Sequence, residues 1–190
     1  MKPGLYVGDI CRAPVEVICT STNPHLDLML GTGGAVREAG GSVIQEECNA
    51  LIAANRANGG PAYLKQGSVA RTGAGRLPFR TVIHCVAIDA FHDSTREAIV
   101  SCVRGALIEA ARMSPPARSI LFPALASGNG NYDFEKSVDH IAEIVSAETP
   151  PCIEQVWIMV KDGRKKAQAL RVLEARLGKI EILEPSPGTT

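Results

Sequence analysis

The sequence predicts a layered α/β domain in which helices cover both faces of a mostly parallel β-sheet. Strand-like and helix-like segments alternate from Val15 to the end of the chain. Residues 79–88 are almost continuously apolar, which is typical of a strand buried on both faces. The length of 190 residues and the 45% of hydrophobic residues suit one domain with a sizeable core.

Seven segments have the composition of strands, and several are rich in β-branched residues. The first of them precedes the regular alternation of strands and helices, so we expect it to make the sheet mixed. The predicted strands are residues 5–7, 15–20, 68–72, 79–88, 119–125, 155–160 and 179–183.

Five helices are expected between the strands, with ends marked by capping residues, glycine or proline. Ser42 with Gln45, and Ser94 with Glu97, have the spacing of a capping box. Residues 45–47 are expected to form a solvated face of the second helix. The predicted helices cover approximately residues 35–40, 42–57, 94–113, 133–147 and 162–177.

Composition excludes several classes of function. Twenty basic and twenty acidic residues cancel, which gives no support to duplex nucleic-acid binding. The six cysteines show no C-x-x-C pair and the histidines no ligand spacing, so we expect no metal and no cofactor. Without a signal peptide or a bilayer-spanning apolar run, we expect a cytoplasmic protein and no membrane partner. Residues 1–183 are expected to form the domain and residues 184–190 a flexible tail.

Two glycine-rich loops follow predicted strands and precede predicted helices. The first contains residues 31–36 (GTGGAV), and the second contains residues 126–132 (ASGNGNY). In open α/β sheets, ligands bind at the carboxyl ends of the strands. Because glycine lets successive backbone N–H groups approach a ligand, two such loops side by side would form a cradle for a diphosphate.

Three familiar nucleotide and hydrolase signatures are absent. A Rossmann fold needs G-x-G-x-x-G directly after its first strand, whereas G-x-G-G stands here eleven residues after Thr20. The P-loop motif G-x-x-x-x-G-K-[ST] and the nucleophile motif G-x-S-x-G do not occur. The two loops therefore indicate a phosphate-binding fold other than the Rossmann and P-loop folds.

The order of several short motifs resembles that of the macrodomain family. Residues 8–10 (GDI) resemble the G-D-I that opens macrodomains, and residues 17–26 (VICTSTNPHL) resemble I-V-N-A-A-N-P-x-L. Further matches are residues 67–77 (GSVARTGAGRL), 82–86 (VIHCV) and 122–128 (FPALASG). The resemblance covers about residues 5–183, and it is the order and spacing of the pieces together that make it specific.

The resemblance implies a three-layer α/β/α sandwich, with a central mixed, mostly parallel sheet, that binds ADP-ribose or an ADP-ribosylated macromolecule. Asp9 would accept from the adenine amino group, and Asn23 would meet the distal ribose, with Tyr132 or Phe134 nearby. Backbone amides of the two loops would hold the phosphates. The expected ligand contacts are Asp9, Ile10, Asn23, Gly31, Thr32, Gly33, Gly34, Ala35, Val36, Ala126, Ser127, Gly128, Asn129, Gly130, Asn131 and Tyr132.

The sequence also departs from the family pattern. Thr20 replaces the first asparagine of N-A-A-N, and Gly33 stands where one large class of macrodomain hydrolases has an aspartate that positions water. Asn23, Asp27 and His25 are the candidate catalytic residues, and a ligand phosphate is the alternative base. The end of the 155–160 strand lacks an aromatic side chain to stack on adenine, so we expect a relaxed preference for the base.

Three functions remain open from the sequence. The first is a binding module that reads ADP-ribose, free or attached to protein. The second is an ADP-ribosyl hydrolase or O-acetyl-ADP-ribose deacetylase acting on the same ligand. The third is a nicotinamide-dependent oxidoreductase of a different fold, which the glycine spacing disfavours.

Overall fold

One sheet of seven strands forms the middle layer in a computed structural model that describes residues 1–184. The strands are β1 (Lys2–Val7), β2 (Val17–Thr22), β3 (Val69–Thr72), β4 (Thr81–Val86), β5 (Ser119–Pro123), β6 (Gln155–Val160) and β7 (Glu181–Leu183). Their order across the sheet is β3-β4-β2-β5-β6-β1-β7. Each predicted strand is therefore present, with ends shifted by a few residues.

The sheet is mixed, but not for the reason expected. The N-terminal strand β1 pairs in parallel with both β6 and β7, so that expectation was wrong. The antiparallel strand is β3, which lies at one edge and pairs with β4. Strand direction is not encoded in the alternation of side chains, so the sequence pattern did not reveal it.

Five α-helices cover the two faces of the sheet, which confirms the three-layer α/β/α sandwich. The helices are α1 (Gly31–Gly40), α2 (Val43–Ala57), α3 (Arg96–Ala111), α4 (Phe134–Glu148) and α5 (Lys166–Leu177). One hydrophobic core lies between the sheet and α3, α4 and α5, and the other lies between the sheet and α1 and α2. Short 3₁₀ turns lie at Ile10–Arg12 and Gly163–Lys165.

The two cores are separated by the alternation of side chains along each strand. In β1, Leu5 belongs to the core under α3–α5 and its neighbour Tyr6 to the core under α1 and α2. In β2, Cys19 belongs to the core under α3–α5 and Ile18 to the core under α1 and α2. All four side chains are fully buried. Burial on both faces explains why the central strands read as nearly continuous apolar runs.

Both predicted capping boxes are wrong. At α2, Ser42 makes no capping bond, and the Gln45 side chain instead binds the loop before α1. At α3 the cap is Thr95, whose hydroxyl accepts from the Ala98 amide at 3.1 Å, while the Ser94 hydroxyl donates to the Ala87 carbonyl. In each case a polar side chain is used by a neighbouring loop rather than by its own helix.

The predicted tail falls almost wholly outside the described residues. Its first residue, Glu184, forms an ion pair with Lys166, and residues 185–190 lie beyond the described part. All six cysteines are free thiols. Within residues 1–184, no helix combines the length and the apolar composition that a bilayer crossing requires.

His84 lies at the centre of a buried hydrogen-bonded chain in β4. Its Nδ1 is 2.9 Å from the Thr20 hydroxyl and its Nε2 is 2.9 Å from the Thr72 hydroxyl. The Thr72 hydroxyl donates to the Gly73 carbonyl, so it accepts from Nε2–H, and Nδ1 accepts from Thr20. Burial lowers the pKa of His84 from 6.5 to about 4. Thr20 therefore has a structural partner and, like His84, is fully buried.

We predict that His84 makes stability depend on pH below neutrality. Between its unfolded pKa of 6.5 and its folded pKa of about 4, only the unfolded chain binds the proton. The free energy of unfolding should therefore be highest above pH 6.5 and fall by about 1.4 kcal/mol per pH unit below it. Urea unfolding at pH 7.5 and 5.5 measures this, and His84→Gln should remove that part of the slope. The same slope in both proteins would contradict the assignment.

Candidate functional site

A cleft of about 880 Å³ opens at the carboxyl ends of the parallel strands. Segments that follow β1, β2, β4, β5 and β6 all contribute to its walls, as expected for an open α/β sheet. Its lining comprises residues 9–10, 21–23, 27, 29–32, 35, 88, 92, 123–124, 126–130, 134, 159–162 and 164–165.

The first glycine-rich segment is the first turn of α1 rather than a loop. The helix begins at Gly31, four residues before the predicted start at Ala35. The first amide bonded to a carbonyl one turn earlier is that of Gly34, which donates to Leu30 at 3.0 Å. The amides of residues 31–33 precede any such partner, so they form the electropositive end of the helix. Gly31 and Thr32 line the cleft.

Close packing explains why this turn is built from glycine. A Cβ on Gly34 would lie 2.8 Å from the Met29 carbonyl oxygen, and one on Gly33 would lie 3.1 Å from the Leu28 side chain. Gly33 and Val36 are buried, and neither they nor Gly34 line the cleft. These three expected contacts are thus placed behind the turn, whereas Ala35 is in the cleft wall.

The second glycine-rich loop, residues 126–130, forms the opposite wall. Its start is held by the Ala126 amide, which donates to the Ser21 hydroxyl at 3.1 Å at the end of β2. Ala126 has a left-handed backbone with φ 61°. On Gly130, a Cβ would lie 2.3 Å from the Ala126 carbonyl oxygen, so only glycine fits. The loop is therefore a tight turn fixed to the neighbouring strand.

A histidine from the loop after β4 braces the same turn. The His92 Nδ1 atom lies 3.1 Å from the Asn129 carbonyl oxygen. The backbone carbonyl of His92 accepts from the Asn131 amide at 3.0 Å. The Asn131 side chain donates to Asp93 at 2.9 Å. Asn131 is thus part of the brace and does not line the cleft, whereas His92 does.

The two walls approach each other directly. A Cβ on Gly31 would lie 3.0 Å from the Asn129 side-chain amide, and Gly31 has a left-handed φ of 61°. The first turn of α1 and the 126–130 loop are therefore neighbours across the floor of the cleft, as the sequence predicted.

Asp9 lines the cleft at the end of β1. Its Oδ1 accepts from the Cys11 amide at 2.9 Å, so it caps the 3₁₀ turn, and its backbone carbonyl accepts from the Tyr6 hydroxyl at 3.0 Å. Burial and the Asp9 carboxylate raise the pKa of the Cys11 thiol to about 11. The other carboxylate oxygen of Asp9, Oδ2, does not take part in this cap. The next residue, Ile10, is buried, and it lines the cleft.

The wall beside Asp9 is aliphatic and cationic. Met159, Val160 and Lys161 follow one another there, without an aromatic ring. Arg164 is paired with Asp162, and this ion pair lowers the pKa of the Asp162 carboxyl to about 2.

Within residues 1–184, Phe134 is the only Phe, Tyr or Trp side chain in the lining. The Lys165 ammonium lies 4.3 Å from the centre of its ring. This side chain was an alternative to Tyr132 for a position near the distal ribose. The Tyr132 hydroxyl instead lies 3.0 Å from His140 Nε2, and Tyr132 does not line the cleft.

Two of the three candidate catalytic residues, Asn23 and Asp27, line the cleft. Asn23 lies in the lining, and its Oδ1 accepts from the amides of His25 at 3.0 Å and Asp27 at 3.2 Å. This leaves the Asn23 amide nitrogen for a ligand. Asp27 is exposed and also lines the cleft, whereas the His25 ring turns to the Ala62 carbonyl and is not in the lining.

The segment that carries Asn23 and Asp27 is positioned by α2. The Gln45 side chain accepts from the Leu28 amide at 2.9 Å and donates to the Leu26 carbonyl at 3.1 Å. Glu47 accepts from the Gly73 amide at 2.7 Å. The expectation that residues 45–47 form a solvated face was therefore wrong for Gln45 and Glu47, which bond to neighbouring loops.

Sequence reasoning missed the loop after β4 and the more distant part of the loop after β6. His92 and Ile88 come from the first of these loops, and Arg164 and Lys165 from the second. The rule that ligands bind at the carboxyl ends of parallel strands could have pointed to both loops, although neither is glycine-rich. Within residues 1–184, no group of three or more His, Cys, Asp or Glu side chains is placed to hold a metal ion.

Comparison with known proteins agrees with the fold. The family model described as "Macro domain" matches residues 19–141. A macro domain-containing protein of Streptomyces griseus is 32% identical over 173 residues, which cover 90% of this chain and 94% of that protein. An O-acetyl-ADP-ribose deacetylase of Klebsiella pneumoniae is 28% identical over 150 residues, covering 77% and 81%.

Solved structures show the same fold. An Oceanobacillus iheyensis macrodomain variant, solved with ADPR, superposes with a TM-score of 0.78 at 24% identity and covers 92% of this chain and 93% of its own. The family model, the Streptomyces relative and this common fold together show that the chain belongs to the macrodomain family.

Proposed function

We propose that this chain binds ADP-ribose, free or attached to a macromolecule, and acts as a reader of ADP-ribosylation in the cytoplasm. The observation that carries the proposal is that the first turn of α1 and the 126–130 loop line one cleft side by side, with Gly31 next to the Asn129 side chain. Membership of the macrodomain family and the ADPR bound by the Oceanobacillus relative support it. The six free thiols suit a reducing compartment.

In this proposal the diphosphate lies between the start of α1 and the 126–130 loop. The amides of residues 31–33 point an electropositive helix end at it, and those of residues 128–130 face it from the other wall. The buried residues Gly33 and Val36 contribute through the backbone and the packing of the turn. Backbone amides of this kind can bind the diphosphate without a cationic side chain.

The nucleoside and the distal ribose occupy opposite ends of the cleft. The second oxygen of Asp9 accepts from the adenine amino group, and the Ile10 amide contacts the ring edge. Met159, Val160 and the stem of Lys161 cover the ring, so stacking is weak and the preference for adenine is relaxed. The Asn23 amide nitrogen donates to the distal ribose, with Phe134 at the same wall.

A second candidate function is hydrolysis of the same ligand. Two observations favour it: Asp27 and Asn23 lie in the lining, and the Klebsiella relative carries the name of an O-acetyl-ADP-ribose deacetylase. Against it, Gly33 stands where one hydrolase class has an aspartate, and it is buried behind the turn. The ligand phosphate or Asp27 would then have to activate water.

ADP-ribose should bind more tightly than AMP. ADP-ribose offers two phosphates to the two amide walls and a ribose to Asn23, whereas AMP offers one phosphate and no distal sugar. Titration calorimetry with both ligands measures the difference, which we expect to be at least about 2 kcal/mol. No heat with ADP-ribose, or equal affinity for AMP, would contradict the proposed function.

Asp9→Ala should weaken ADP-ribose binding by about 1–3 kcal/mol, because a hydrogen bond to a charged acceptor is lost. Glu154→Ala is a suitable control, since Glu154 pairs with Arg118 at the opposite, amino ends of the strands. Calorimetry on both variants tests the role of Asp9. An unchanged affinity of the Asp9→Ala variant for ADP-ribose would exclude contact between Asp9 and the base.

Turnover separates the two candidate functions. A hydrolase that uses Asp27 should release ADP-ribose from a modified protein or acetate from O-acetyl-ADP-ribose. Asp27→Asn should then lower kcat at least about tenfold while leaving ADP-ribose affinity unchanged. Mass spectrometry of the products measures this. Absence of product with the unmodified chain would leave binding as the function.

A further inference from the structure

A second groove, of about 700 Å³, lies beside the ADP-ribose cleft. The two share a ridge made by Met29, Leu30, Gly31 and Ala35, which line both. On the far side of the ridge the groove is bounded by α1, the start of α2 and one arginine from the turn after β3. The residues that line only the groove are Leu28, Gly34, Arg37, Glu38, Gly41, Ser42 and Arg76.

One of its two arginines is held in position. The Arg76 amide donates to the Gly40 carbonyl at 2.9 Å, and its guanidinium lies 3.4 Å from the Glu38 carbonyl oxygen. The guanidinium packs on Gly41, where a Cβ would lie 2.7 Å from its Nη1. Gly41 has a φ of 99°, so the backbone there also requires glycine. The chain is therefore shaped to place a guanidinium at this wall.

The other arginine, Arg37, has no carboxylate partner among the described residues. Arg37 is exposed on α1, and within residues 1–184 it takes part in none of the ion pairs. Nine other arginines of the same region pair with a carboxylate, whereas Arg37, like Arg56 and Arg76, does not. With Glu38 as the single acidic side chain of the groove, its lining has a net positive charge.

The ridge adds an apolar surface to these cations. Met29 and Leu30 are 67% and 63% exposed, and they are among the most exposed large hydrophobic side chains of the described chain. An anionic group beside a flat apolar group is the chemistry of a nucleotide. The groove is also of nucleotide size, since its volume approaches that of the cleft itself.

We propose that this groove binds a second nucleotide unit, joined to the distal ribose of the ADP-ribose in the cleft. The inference rests on the proposed function. One end of the ridge, Met29 and Leu30, follows Asp27 on the same segment, so this end of the groove adjoins the part of the cleft assigned to the distal ribose. The other end, Ala35, lies beside Cys11. Arg37 and Arg76 bind the phosphate of the second unit, and its base lies on Met29 and Leu30.

A nucleotide fits the groove better than an acidic peptide does. One carboxylate could pair with a guanidinium, but it would leave the exposed ridge and most of the volume unused. The second unit can come from an ADP-ribose polymer, where a ribose–ribose glycosidic bond joins it to the distal ribose, or from the end of a nucleic-acid strand, where its phosphate is joined to that ribose. Both place a phosphate and a base near the distal ribose.

The test compares four ligands by titration calorimetry. These are ADP-ribose, its dimer, an oligonucleotide with ADP-ribose on its terminal phosphate, and an ADP-ribosylated peptide. We expect the dimer, the oligonucleotide or both to bind at least about fivefold more tightly than ADP-ribose, with a gain that shrinks at higher salt. Which of the two gains more identifies the source of the second unit.

Matched variants assign the gain to the groove. Arg37→Gln and Arg76→Gln should each remove most of it while leaving the affinity for ADP-ribose alone unchanged, which also shows that the variants fold. Arg56→Gln, an exposed arginine at the end of α2, should keep the gain. Equal affinity for all four ligands, a gain limited to the peptide, or a gain that survives both arginine variants would overturn the inference. Failure of ADP-ribose itself to bind would overturn the proposed function as well.

Discussion

The proposed site depends on one constraint, which is that the start of α1 and the 126–130 loop must lie next to each other in the cleft. The start of α1 leaves the amides of residues 31–33 without helical partners, and the 126–130 loop lies beside this turn. Gly31 and Asn129 are close enough that a Cβ on Gly31 would lie 3.0 Å from the Asn129 side chain. Because peptide groups carry no formal charge, a chain with balanced acidic and basic residues can form such a site.

The rest of the fold keeps these two segments in register. Strands β2 and β5 are parallel neighbours, so the segments that follow them emerge side by side. The Ser21 hydroxyl ties the end of β2 to Ala126, and His92 ties the loop after β4 to Asn129. On the other wall, Gln45 holds the segment before α1 from the neighbouring helix. Each tie is a side chain bonded to backbone, which positions the chain without occupying the cleft.

Much of the fold was predictable from the sequence, and the site only in part. Alternating strand and helix patterns predicted every layer, and the motif order placed Asp9, Asn23 and Asn129 in one cleft. The start of α1 was missed because glycine has low helix propensity, and here close packing of Gly33 and Gly34 decides the conformation. His92 and the antiparallel β3 depend on the order and direction of strands, which no single segment encodes.

A crystal structure with bound ADP-ribose tests the central claim most directly. Backbone recognition predicts diphosphate oxygens within about 3.2 Å of amides in residues 31–33 and 128–130. The contrary result would be a diphosphate held by the side chains of Lys161, Arg164 or Lys165, with those amides turned away from it. That outcome would replace the facing turns with a cationic site at the other wall of the cleft.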